Sequence, residues 1–189
     1  MKATNLKTHY LVNPVGIDVV KPRLTWTAVE GERQTAYEIC TSKNGKEDWT
    51  SGKVENASMH ATYGGVVKSR DIVTWKVRLY DENGEAGEWS EEALFEIGLL
   101  EESDWSAKWI CGHDTDQEKR LPADYYRKNF SVGKKENDIV TSEEEKGIGE
   151  KGVNANTVKI RKARLYATAC GIYVAYLNGV KVGDRVLAP

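Results

Sequence analysis

The chain has 189 residues, and its 27 Lys and Arg stand against 29 Asp and Glu, so the net charge is −2. That balance excludes a nucleic-acid binder held by bulk positive charge, and 40% hydrophobic residues exclude broad disorder. Six Trp beside two Phe, with 17 Gly and four Pro, predict strands and tight turns rather than helices, in one or two domains.

Taken in chain order, Met1–Lys7 shows lysines with no apolar run behind them. A secretory leader needs about 7–15 apolar residues there, and a membrane span about 20 anywhere. No window reaches either, so the expected setting is the cytoplasm, without membrane association. Leu24, Trp26 and Ala28 then alternate with Thr25 and Thr27, and Thr35, Tyr37 and Ile39 alternate around Ala36 and Glu38. The cleanest run is Ile72–Tyr80, where Val73, Trp75, Val77 and Leu79 share one face and Thr74, Lys76 and Arg78 the other. This period of two is the mark of half-buried antiparallel strands. Turn residues separate the runs at Lys43-Asn44-Gly45, Tyr63-Gly64-Gly65 and Asp81-Glu82-Asn83-Gly84. Short strands at such spacing predict a β-sandwich, with Trp26 and Trp75 facing each other from its two sheets.

Gly98–Trp105 breaks the alternation and reads as a linker or one short turn, with a boundary near Leu100. Charge changes there as well. Residues 1–104 hold 12 basic and 18 acidic residues (net −6), and residues 105–189 hold 15 and 11 (net +4). A solvated acidic face accounts for this, as does an acidic module leaning on a basic one. In the second half, Tyr125–Val132 and Val158–Ala169 read as strands, and Ile172–Leu177, Asn178-Gly179 and Val180–Gly183 as a hairpin. Residues 133–156 have four Lys, six acids and five residues from Ile, Val and Ala, too little apolar surface to offset ordering, so a mobile insertion is expected.

Pro14–Asp18, Pro22–Trp26, Asp48–Val54, Asp81–Gly84 with Trp89-Ser90, Phe95–Leu100 and Asp104–Ile110, taken in series, resemble the start of bacterial α-L-rhamnosidases. Ala163–Tyr173, Tyr176–Gly179 and Val182–Asp184 continue the resemblance into that family's second module. The resemblance implies an all-β chain: a fibronectin-III/immunoglobulin-like sandwich at 1–100, then an incomplete jelly-roll-like accessory module at 101–189. It also implies a glycoside hydrolase that inverts terminal α-L-rhamnosides on a separate (α/α)6 barrel, the intramolecular partner of this region. Inversion needs an acid and a base about 6.5–9.5 Å apart. No position here matches the family's catalytic motifs, so the chain carries no catalytic residue and is expected to be silent alone, an N-terminal fragment that positions the barrel. A free-standing carbohydrate-binding module or a structural interaction module is the alternative.

Other site readings are bland. Asp81-Glu82 sits in a predicted turn and Glu143–Glu145 in the insertion, where solvation gives no raised pKa for acid catalysis. His113-Asp114-Thr115-Asp116 offers too few oxygens for Ca²⁺. His9 and His60 have no partner in sequence, and Cys40, Cys111 and Cys170 match no metal or redox spacing. No metal and no cofactor are expected. Trp49, Trp89, Trp105 and Trp109 read as core or interface, which leaves Tyr125, Tyr126 and Tyr173 as the candidate sugar contacts, for a rhamnosyl carbohydrate. An unfinished second module would expose strand edges, which predicts a dimer through the open edge.

Overall fold

The computed structural model describes residues 1–112, 123–130 and 162–183. The chain divides into two compact units, Met1–Lys108 and Trp109–Pro189.

The first unit is a β-sandwich. One sheet has three strands in the order β1 (Lys2–Thr8), β3 (Arg23–Val29), β6 (His60–Thr62). The other has five, in the order β2 (Val15–Ile17), β8 (Ala93–Ile97), β7 (Ile72–Tyr80), β4 (Ala36–Lys43), β5 (Lys46–Val54). Pairing is antiparallel except between β2 and β8, which run parallel. The predicted alternation of β7 holds over its whole length: Val73, Trp75, Val77 and Leu79 are buried, and Lys76 is exposed. Leu24 and Trp26 of β3 and Tyr37 and Ile39 of β4 join them in one core with Tyr63, Phe95 and Ile97. Residues of both sheets therefore meet over a single apolar layer, as two stacked sheets must to bury their inner faces.

Trp26 and Trp75 occupy opposite sheets of this core, as the alternation predicts. Each indole also finds a partner for its N–H, donating to Gln34 Oε1 at 3.1 Å and to Thr8 Oγ1 at 3.1 Å respectively. The closest ring to Trp26 is Tyr37, edge-on at 5.0 Å. Gln34 is itself buried, and its amide nitrogen donates to the carbonyls of Asn56 and Ser58. Burial of a polar side chain costs little where its donors and acceptors are all used.

The turn chemistry is as predicted. Asn44 and Gly45 both take the left-handed conformation (φ 52° and 82°) between the paired Lys43 and Lys46, the two-residue turn that suits a right-twisted hairpin. In the next turn Asp81 Oδ1 accepts from the amides of Asn83 and Glu85 at 2.9 Å. Gly98–Trp105, read from sequence as a linker or a short turn, holds a 3-10 turn over Glu102–Asp104.

In the second unit the described residues hold one hairpin, β9 (Tyr176–Leu177) and β10 (Val180–Lys181), joined by Asn178 (φ 50°) and Gly179 (φ 80°). The Asn-Gly signal is thus correct, while the strands are shorter than the alternation implies. Residues 123–130 and 162–169 have no strand, although Tyr125–Val132 and Val158–Ala169 read as strands; 131–132 and 158–161 lie outside the described residues. Alternation reports which face a strand would bury; strand structure exists only where a neighbour completes the ladder. The insertion at 133–156, the His113–Asp116 run and Glu143–Glu145 lie outside the described residues. Among the described residues no helix is long and apolar enough to cross a membrane.

Candidate functional site

The aromatic side chains sort into three environments. Trp26 and Trp75 are core. Trp49 on β5 packs edge-on against Tyr63 at 5.7 Å, and Tyr63 against Phe95 at 5.4 Å. Trp89 stands on the outer face of the five-stranded sheet, with Lys76 Nζ 5.0 Å and the Arg78 guanidinium 4.9 Å from its ring centre. Trp109, expected in a core or an interface, is 72% exposed.

The outer-face cluster joins charged and aromatic groups of β4, β5 and β7. Arg78 pairs with Glu38 across β7 and β4, Nε and Nη2 reaching Oε2 at 2.8 and 2.7 Å. The Tyr80 hydroxyl donates to the same oxygen at 3.1 Å, and Lys53 Nζ lies 4.6 Å above the Tyr80 ring. Lys53 also pairs with Glu55 at 2.8 Å. Lys76 and Arg78 were placed on the polar face of their strand by the period of two. Their meeting with Trp89 follows from the return of the chain after β7, which no local pattern reports. Each cation here faces a ring or a carboxylate, so the cluster braces the sheet surface.

A second polar network lies at the edge of the core. Tyr63, fully buried, donates a short hydrogen bond to Asp48 Oδ2. Lys43 Nζ meets Asp48 Oδ1 at 2.8 Å and also donates to the Val66 carbonyl at 2.7 Å. Burial pulls the Asp48 carboxyl up, but hydrogen bonds from Lys43 and Tyr63 and the ammonium charge outweigh it, so its pKa lies below the usual carboxylate value. Asp104 is lowered too, chiefly by the Ser69 hydroxyl and the Glu101 amide. A general acid needs the opposite shift, since it must hold its proton near neutrality. These two carboxylates brace the fold through their hydrogen bonds to Tyr63 and Ser69.

Burial pushes the Tyr63 phenol well up, and the adjoining Asp48 and Asp71 carboxylates push it further; burial alone raises Tyr37. Unfolded tyrosine ionises near about pH 10, so above that pH the unfolded chain releases protons that the native chain retains. Stability is then expected to fall as pH rises beyond about 10. Urea melts at pH 9 and pH 11 read this directly, together with phenolate absorbance, which should stay incomplete until unfolding. Equal stability at the two values contradicts the assignment. The lowered Asp48 acts at the other end: its contribution is present above the ordinary carboxylate pKa of about 4 and is lost as pH falls below it.

The candidate sugar contacts are not brought together as a platform. Tyr125 is 97% exposed. The Tyr126 hydroxyl donates to Asp124 at 3.1 Å, and the Tyr173 hydroxyl donates to the Ala167 carbonyl at 2.9 Å. Among the described residues no ring contact joins the three. His9 stacks obliquely on Tyr10 at 6.0 Å, and His60 is exposed on β6. Among the described residues no cluster of His, Cys, Asp or Glu has the makings of a metal site.

Two family models match the chain in series. Residues 3–101 match the Rha78A-like N-terminal immunoglobulin domain, and residues 158–189 match the alpha-L-rhamnosidase N-terminal domain. An alpha-L-rhamnosidase of Alteromonas sp. (strain LOR) is 32% identical over 94% of this chain and 19% of that relative. Among solved structures, an alpha-L-rhamnosidase from Dictyoglumus thermophilum superposes with a TM-score of 0.55 at 30% identity, over 59% of this chain and 14% of that one. The Streptomyces avermitilis alpha-L-rhamnosidase complexed with L-rhamnose gives 0.54 at 36% identity, over 58% and 12%. The chain thus spans about a fifth of the length of the curated relatives it matches.

Proposed function

Because the chain belongs to the family of Rha78A-like N-terminal immunoglobulin domains, we propose that it serves as the non-catalytic N-terminal region of an α-L-rhamnosidase. Its sandwich would position a catalytic domain that lies elsewhere in the enzyme. The observation that carries this reading is the order of the two family matches, the immunoglobulin domain first and the rhamnosidase N-terminal domain after it. The proposed parent reaction is inverting hydrolysis of terminal α-L-rhamnosides on an (α/α)6 barrel, as the resemblance implies. Residues 1–100 form the sandwich in this reading, and 101–189 belong to a jelly-roll-like module. Three free cysteines, Cys40, Cys111 and Cys170, are compatible with a reducing cytoplasmic setting.

Incubated with an aryl α-L-rhamnoside, the chain is expected to release no aglycone above the uncatalysed rate. Clear turnover, lost on heat unfolding, overturns the non-catalytic reading. Calorimetry with L-rhamnose examines the finer claim of a rhamnosyl contact at Tyr125, Tyr126 and Tyr173. Heat at millimolar sugar that disappears in Tyr126→Ala supports it, and a flat trace removes it. Sedimentation of the same sample tests the proposed dimer through a strand edge, which a single monomer boundary excludes.

A further inference from the structure

We propose that Ser69, Arg70 and Asp104 form a fixed joint that sets the direction in which the chain leaves the β-sandwich. After β8 ends at Ile97, the chain does not become a free linker. The Ser69 hydroxyl donates to Asp104 Oδ2 and, through its oxygen, accepts from the Leu100 amide at 2.9 Å. Asp104 Oδ2 also accepts from the Glu101 amide at 3.1 Å, which closes the 3-10 turn on its own side chain. Arg70 reaches over the same turn: Nη2 donates to the Asp104 carbonyl at 3.1 Å, and Nη1 lies 3.9 Å from Oδ1. One carboxylate and one carbonyl thus hold three groups from two separate segments. Hydrogen bonds to a charged acceptor are the stronger kind, and several on one carboxylate fix its orientation.

The corner that supplies Ser69 and Arg70 is itself braced. Arg70 holds a left-handed backbone (φ 71°), and its amide is shared between the carbonyls of Ile97 and Gly98 at 3.2 and 3.1 Å. A side-chain-bearing residue stays in that conformation only where its surroundings over-determine it. Asp71 provides the rest: Oδ2 accepts from the Lys68 amide and Oδ1 from Asn44 Nδ2, each at 2.8 Å, while its carbonyl accepts from Ile97 at 2.8 Å. Asn44 belongs to the β4–β5 turn and accepts from the Ile72 amide at 3.0 Å. The exit is therefore tied through Asp71 to the hairpin turn and to β8, and Leu100 packs on the core. A freely jointed connector needs none of these bonds, because water satisfies exposed backbone groups equally well. The purpose of such a joint rests on the reading of the sandwich as a positioning module; its rigidity does not.

Amide relaxation and hydrogen exchange on the full 189-residue chain test the joint. In the native chain the amides of Leu100, Glu101, Asp104 and Trp105 are expected to show order parameters near about 0.85, as in the strands. Ser69→Ala should drop them below about 0.6 and speed exchange at Leu100 and Glu101 by about tenfold or more, with Val77 and Leu79 unchanged. Ser69→Thr, which keeps the hydroxyl, should restore the order. If Ser69→Ala fails to fold, Asp104→Ala makes the same comparison, since it removes the acceptor of both the Ser69 hydroxyl and the Glu101 amide. Native order parameters already below about 0.6, or a segment indifferent to these substitutions, overturn the joint. The rhamnoside assay leaves this measurement untouched, so the two readings fail separately.

Discussion

Trp75→Ala is expected to lower the stability of the sandwich by about 3–5 kcal/mol, the range for removing a buried aromatic side chain. The indole sits on β7, a central strand of the five-stranded sheet, paired with Thr41 on one side and Ala93 on the other, and it is 1% exposed. Its N–H reaches Thr8 Oγ1 on β1 of the opposite sheet, so truncation opens a cavity and also leaves the buried Thr8 hydroxyl without that donor. A domain of this size loses about 4–8 °C of Tm per kcal/mol, so a fall of at least about 12 °C should accompany the substitution. Trp75→Phe separates the two contributions: it keeps an aromatic ring and removes only the N–H and part of the volume. Urea unfolding of both variants is the measurement. An Ala variant within about 1 kcal/mol of the parent would mean that the site collapses to fill itself, and that the central position of this ring is not what holds the sheets together.

Tyr63→Ala should cost a similar amount, about 3–5 kcal/mol, because the ring is fully buried between Trp49 and Phe95. The more informative variant is Tyr63→Phe, which keeps the ring contacts and deletes the hydrogen bond to Asp48. Bonds to charged groups are worth about 1.5–3 kcal/mol, and that is the loss expected. A double-mutant cycle with Asp48→Asn isolates the bond, since the two side chains touch directly. A coupling energy near zero would show that Lys43 alone holds Asp48, and that the phenol is a packing group. The neighbouring glycines bear on the same site. A side chain at Gly64 would sit 2.5 Å from the Trp49 indole, and one at Gly65 would strike the Tyr63 hydroxyl. The Gly64-Gly65 pair, read from sequence as a turn, is required here by the close approach of two rings.

Three strands of the sandwich, β3, β4 and β7, were legible because each buries one face. The alternation from Val73 to Leu79 and the Asn44-Gly45 and Asn178-Gly179 turns are local statements, settled by residue type and backbone sterics. At Tyr125–Val132 and Val158–Ala169, also read as strands, the described residues 123–130 and 162–169 hold no strand, because local residue type supplies no partner strand. The braces were not legible. Glu38 meets Arg78 40 residues away and Ser69 meets Asp104 35 residues away. Nothing in either neighbourhood names the other.

By itself, then, the amino-acid sequence determined the all-β class, the inner face of β3, β4 and β7, and the order of blocks shared with α-L-rhamnosidases. Those follow from side-chain period, turn chemistry and direct likeness, all read within short stretches. Only the tertiary structure decided that Trp89 meets Lys76 and Arg78, that Asp48 serves Tyr63, and that Gly98–Trp105 is a clamped turn and not a linker. Such pairings depend on which strands lie side by side, and that arrangement is set by the packing of the whole core.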